Sequence, residues 1–220
     1  MRKFVFTICC LVTLSSFAQR KAYSTYWHQR TSLFEELPIS SKDIVFVGNS
    51  ITDGGEWFEL LNNPNVKNRG ISGDRTVGIL DRLDAIVTGK PKKVFLLIGV
   101  NDLAHGTATD TIAMNIALIL DEIKIKSPKT KVYLQSVLPV SDEKKMFGSH
   151  TAREKDILPL NTMLKDIAIK RGVTYIDLYS RFINPETGKM NLKYSNDGLH
   201  LLGTGYKYWS EIVKPYVNEK

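Results

Sequence analysis

At 220 residues, 43% hydrophobic and 24% charged, the chain has an ordinary globular composition and the length of one domain with a sizeable core. Its formal charge of +7 comes from dispersed lysines and arginines. No basic stripe interleaved with aromatics is present, which argues against nucleic acid as a partner.

The first 18 residues read as a cleaved signal peptide. Arg2-Lys3 is a short basic start, "FVFTICCLVTLSSFA" is too short to span a bilayer comfortably, and Ser16 and Ala18 sit at −3 and −1 of a cut before Gln19. Cys9 and Cys10 lie too early for a lipoprotein signal, so both cysteines are expected to leave with the leader. The mature chain would then hold no disulfide, no cysteine nucleophile and no cysteine metal site. Its net charge would be +5, with no membrane span, in a secreted or periplasmic setting.

From Tyr23 to Leu37, apolar and aromatic residues recur at helical spacing and stop before Pro38. The expectation is an N-terminal helical segment, within 19–42, packed on the core of a principal domain spanning 43–220. Strands are expected at 43–48, 66–71, 93–99, 131–139 and 173–178. Amphipathic helices are expected near 56–62, 76–88, 109–126, 152–171 and 203–217. The run "KPKK" at 90–93 is expected to be a solvated turn before the third strand. Strand–helix alternation implies a parallel sheet with helices on both faces, and the unbroken apolar run from Val94 to Ile98 suits a strand buried on both sides. In such sheets, function collects beyond the carboxyl ends of the strands.

Four segments would converge there. The first strand runs into Gly48-Asn49-Ser50, the second into "GISGD", the third into "IGVND", and "SNDGLH" precedes the last helix. A serine hydroxyl is a poor nucleophile until a positioned base, most often histidine, takes its proton. That histidine needs an acceptor on its other nitrogen, and attack on an acyl carbon puts charge on oxygen that neutral donors stabilise. Ser50, His200 and Asp197 fill the first roles; Gly73 and Asn101 fill the last. Each segment alone has a plainer reading. Ser50 could be a turn or cap, Asp197 an N-cap, Asn101-Asp102 a turn pair, and a lone histidine a surface residue.

Taken together, the four blocks resemble the SGNH/GDSL hydrolases, whose signature residues match Ser50 in "GNSIT", Gly73 in "GISGD", Asn101 in "GVND" and His200 in "DGLH". The resemblance covers roughly residues 43–217. It implies a flavodoxin-like α/β/α sandwich of three layers with a five-stranded parallel sheet, and metal-free ester hydrolysis. It also implies an oxyanion hole from Ser50, Gly73 and Asn101. One departure stands out: the family's Gly-Asp-Ser is Gly-Asn-Ser here, which puts in question how the nucleophile turn is braced.

Of four histidines, His28 falls in the leading helix and His150 in the polar loop "SDEKKMFGSH". Asp102-x-x-His105 has the same spacing as Asp197-x-x-His200, so spacing alone does not separate them. The family match selects Asp197 and His200, leaving His105, with Asn49 and Asp74, as pocket-lining residues. No cofactor is expected: no His-rich cluster, phosphate loop or GxGxxG motif appears, and a flavin would leave Ser50 and His200 unexplained. The reading is a secreted serine esterase acting on a small-molecule or glycan ester, with acetyl the acyl group and a carbohydrate the alcohol that the resemblance favours. An acyltransferase with the same residues, or a non-catalytic glycan-binding module, are the alternatives.

Overall fold

A computed structural model describes residues 23–219. The signal peptide, its cleavage point and both cysteines lie outside the described residues. Five strands form one sheet: β1 (Ile44–Gly48), β2 (Val66–Gly70), β3 (Lys93–Leu97), β4 (Lys131–Gln135) and β5 (Thr174–Ile176). Their order is β2-β1-β3-β4-β5, and every pairing is parallel. All five residues of β1 and of β3 are buried, as central strands covered on both faces must be.

The helices fall into two mutually packed sets. Thr76–Asp81, Thr109–Lys126 and Glu154–Arg171 form one, and Trp57–Leu61 with Gly203–Asn218 the other. The result is the expected three-layer sandwich. Against the second set, register partners Phe46, Phe95 and Tyr133 stack across β1, β3 and β4 with ring centroids 4.7 and 4.4 Å apart. Trp57 extends the stack on Phe46 at 4.3 Å, and Trp209 meets Trp57 edge-on at 4.6 Å. Such aromatic pairs add roughly 0.5–1.5 kcal/mol each beyond the area they bury.

One expectation needs correction. Lys93 is not part of a solvated turn. It is fully buried in β3, and its ammonium donates to the carbonyls of Tyr216, Val217 and Glu219 at the end of the last helix. A cation there answers both the orphan carbonyls and the negative end of the helix dipole. The leading helix, Thr25–Glu36, buries only Trp27 and Phe34, which form a small cluster with Ile71 apart from the main core. Tyr26, Leu33 and Leu37 are exposed.

The strand order carries functional weight. The chain leaves β1 outward to β2, then returns to lay β3 on the other side of β1, so connections diverge between β1 and β3. Open α/β sheets bind ligands at that switch point, beyond the carboxyl ends of the strands. Ser50 follows β1 and Asn101 follows β3.

Candidate active site

The turn after β1 is built around small side chains. A Cβ on Gly48 would lie 2.3 Å from both the Leu97 carbonyl and the Thr52 hydroxyl, so only glycine fits. Asn49 then caps the short helix Ser50–Asp53: its Oδ1 accepts from the Ile51 amide at 3.0 Å, and its carbonyl accepts from Thr52 and Asp53. This answers the question raised by the missing aspartate. The cap needs only an oxygen acceptor, which asparagine supplies, although its Nδ2 is buried without a partner. A second brace comes from Arg82, whose Nη2 donates to the Gly48 carbonyl at 3.2 Å.

Gly73 sits in the turn after β2, closed by the Asp74 amide on the Ile71 carbonyl. Its φ of +79° is in the left-handed region, and nothing lies within 4 Å of where a Cβ would be, so the space beside it is open. After β3, Gly99 turns at φ +130° into the helix Val100–Ala104, which carries Asn101. The Asn101 Nδ2 donates to the Asp74 carbonyl at 2.9 Å, tying the Gly73 turn to the β3 end.

The histidine arrives on a loop folded by its own aspartate. One oxygen of Asp197 accepts from the Leu199 and His200 amides, each at 2.8 Å, while the other accepts from the His200 ring Nδ1 at 2.9 Å. The loop is clipped to the segment that follows β4 by Ser141, whose amide donates to the Gly198 carbonyl at 2.8 Å. The other ring nitrogen, Nε2, stands 3.0 Å from Ser50 Oγ. Residues 50 and 200 are thus joined across 150 positions of sequence. With Nδ1–H held on Asp197, Nε2 presents a lone pair to the serine hydroxyl. Burial pushes the Asp197 carboxyl up, but the backbone and ring hydrogen bonds outweigh it and hold it below its ordinary value. It stays a carboxylate facing His200.

The side chains of the competing Asp-x-x-His pair are not joined. The Asp102 carboxylate is buried and accepts from the Thr76 amide and hydroxyl, the latter at 2.6 Å. The His105 ring donates instead to the Asn101 carbonyl at 2.7 Å.

The structure corrects two pocket-lining expectations. Asn49 is fully buried as a cap, and Asp74 is buried in an ion pair with Arg82 at 2.8 Å. Neither side chain forms an open wall. Trp27 of the leading helix also donates to Asp74 at 3.1 Å, which gives that helix a bracing role. Burial pushes the Asp74 carboxyl up and the Arg82 guanidinium down, each countered by the other's charge.

Sequence reasoning missed the loop after β4. Phe147, with φ +52°, sets its ring edge-on to His200 at 5.0 Å. His150 Nε2 lies 2.9 Å from Asn101 Oδ1. The polar composition of residues 140–155 concealed both. The only sequence signal was the pairing of an aromatic with a histidine near the loop's end.

An open parallel α/β sheet with serine, histidine and aspartate hydrogen-bonded in series at its carboxyl edge has the architecture of an α/β ester hydrolase. The chain belongs to the GDSL-like lipase/acylhydrolase family, which matches residues 46–208. It is 27% identical over 179 residues to subunit alpha2 of the rat (Rattus norvegicus) platelet-activating factor acetylhydrolase IB, covering 79% of this chain and 73% of the relative. A GDSL-like lipase of Bacteroides thetaiotaomicron superposes with a TM-score of 0.74 at 26% identity, covering 87% of this chain and 96% of that one. A Streptococcus pneumoniae protein provisionally named a platelet activating factor superposes at 0.81 and 27%, covering 87% and 92%. Among the described residues, no helix is long and apolar enough to cross a membrane.

Proposed function

We propose that this ester hydrolase removes short acyl groups, acetyl foremost, from polar alcohols of the carbohydrate type, through an acyl-enzyme on Ser50. The observation that carries the reading is the continuous hydrogen-bonded series from Ser50 to His200 to Asp197, at 3.0 and 2.9 Å. Ser50 Oγ attacks the acyl carbon while its proton passes to His200 Nε2. Negative charge develops on the former carbonyl oxygen, and the amides of Ser50 and Gly73 with the Asn101 side chain stabilise it. The carbon–alkoxy bond then breaks as His200 returns the proton to the departing alcohol. Water, deprotonated by His200, attacks the acyl-enzyme, releases the acid and leaves Ser50 protonated again. Asp197 holds the ring and balances the imidazolium throughout.

Two features support the acetyl preference. The connections after β1, β2 and β3 are short, the long one after β4 is mostly polar, and among the described residues no segment offers a wide apolar face to cover a long acyl chain. A relative at 27% identity carries the name acetylhydrolase. The leader-like N-terminus supports an extracytoplasmic setting, secreted or periplasmic, where acetylated glycans are available.

The test compares kcat/KM on p-nitrophenyl acetate, butyrate and octanoate, alongside acetate release from acetylated sugars. A fitted apolar pocket would reward each methylene with ~1 kcal/mol or more, so rates that rise towards octanoate would overturn the short-acyl reading. Ser50→Ala should abolish turnover with little change in melting temperature, and a fluorophosphonate should label Ser50. Activity retained in Ser50→Ala would overturn the acyl-enzyme.

A further inference from the structure

The Asn101 amide carries more partners than an oxyanion donor needs, and they determine its orientation. The Asp74 carbonyl can only accept, so the atom facing it at 2.9 Å must be Nδ2. Oδ1 therefore faces His150, and the His150 Nε2 that meets it at 2.9 Å must carry a proton. One of the amide's two N–H donors and one lone pair of its oxygen are thereby engaged. The second Nδ2 proton is what remains for a substrate oxygen.

We infer that His150 is a positioning residue for the oxyanion donor: its Nε2–H clamps Asn101 so that the remaining amide proton meets the charge that develops on the substrate. This rests on the reading of Asn101 as an oxyanion donor. Donors at such a site help only where they already stand when charge appears, since reorganisation during the reaction would cost what they supply. A free asparagine amide rotates about a soft sp³–sp² torsion. Asp74 alone restrains one end of it, and His150 restrains the other.

The imidazole itself is well anchored. Its backbone amide bonds to the Phe147 carbonyl at 2.8 Å within the helical turn Gly148–Thr151, and the Phe147 ring packs edge-on to it at 5.9 Å. The charged or titratable groups facing it are His200 and His105, with the Ser149 hydroxyl 3.4 Å from Nδ1. Burial, followed by the charges of His200 and His105, depresses the affinity of His150 for a second proton. A neutral donor suits this position, because a second imidazolium would oppose the one that forms on His200 in the reaction.

The test is a double-mutant cycle on p-nitrophenyl acetate, with melting temperature recorded for each variant. His150→Ala should lower kcat roughly tenfold, less than the 10²–10³ expected for removing the donor in Asn101→Ala, with KM within about twofold of wild type. His150→Phe keeps the ring bulk, removes the N–H and should show the same loss even if the alanine variant is poorly folded. His150→Gln, which retains an N–H donor, should recover most of kcat. In the Asn101→Ala background, none of the three should cost anything further. An equal loss in that background, a loss confined to KM, or unchanged kcat in both His150→Ala and His150→Phe would overturn the inference. Failure of the parent reading looks different: Asn101→Ala itself would then keep wild-type kcat, which removes the reason for the clamp.

Discussion

The brace behind the nucleophile turn offers a sharp energetic test. In Arg82→Met, the Asp74 carboxylate loses its partner while both side chains are only 1% exposed in the parent. Breaking a buried ion pair from one side costs about 3–5 kcal/mol because the remaining charge is left uncompensated. Three details place the expected cost at the lower end. Asp74 keeps hydrogen bonds from Trp27 and from the Arg75 amide on its other oxygen. The Gly48 carbonyl keeps the Ile71 amide at 3.1 Å after losing Arg82. Arg82 Nη1 is itself buried without a partner, so its removal relieves one unmet donor. The expectation is a loss of about 3 kcal/mol at pH 8. For an m-value of about 2–3 kcal/mol per molar, that moves the urea midpoint down by roughly 1–1.5 M. Burial already pushes the Asp74 carboxyl up, and without Arg82 it is pushed further. A carboxyl with a raised folded pKa binds its proton more readily folded than unfolded, so the deficit should shrink as pH is lowered towards 5. Asp74→Asn with Arg82→Met removes both charges and should restore much of the loss. A cost below about 1 kcal/mol in the single variant, or a double variant no better than the single, would refute the claim that an uncompensated buried charge dominates.

Four further outcomes follow from the same geometry. Gly198→Ala places a Cβ 2.1 Å from the Ser141 carbonyl at φ +84°; it should cost at least about 1–2 kcal/mol from the left-handed backbone alone and lower kcat by displacing the His200 loop, as urea melts and steady-state kinetics would show. Lys93→Met strips donors from the end of the last helix and should cost about 1–3 kcal/mol, measured by denaturation, with kcat little changed. Asp197→Asn leaves the loop in place but removes the acceptor that sets the His200 tautomer, so kcat should fall by several orders of magnitude, up to about 10⁴, against a small change in melting temperature. His150, held below its ordinary value by burial and by the charges of His200 and His105, is protonated first in the unfolded chain. Stability should therefore decline as pH falls below about 6.5 and level off, for this group, once the folded value is passed; the decline should be shallower in His150→Gln.

The elements themselves were largely legible. The helix expected at 109–126 spans Thr109–Lys126, and each of the five expected strands contains an observed one. Periodicity over long segments survives in the fold because a helix or strand must bury the face its own sequence makes apolar. The blocks carrying Ser50, Gly73, Asn101 and His200 were legible for a related reason: each is a local solution at a strand or helix end, written in glycine, asparagine and aspartate.

What the sequence by itself determined is this set of local outcomes: the alternation of elements, the parallel sheet, the turns that carry Ser50 and Gly73, and the Asp197 loop that folds around its own amides. Only the tertiary structure decided which groups meet. It chose His200 over His105 by giving the Asp102 carboxylate to Thr76, and it brought His150, in a loop that reads as solvated, onto Asn101. It buried Lys93 against the last helix, paired Asp74 with Arg82, and brought Phe46, Phe95 and Tyr133 into one register. The physical reason is the range of the forces. Backbone conformation and capping are settled within a few residues, whereas a buried charge, a ring or a histidine takes its partner from whatever the sheet order and register bring within about 3–5 Å.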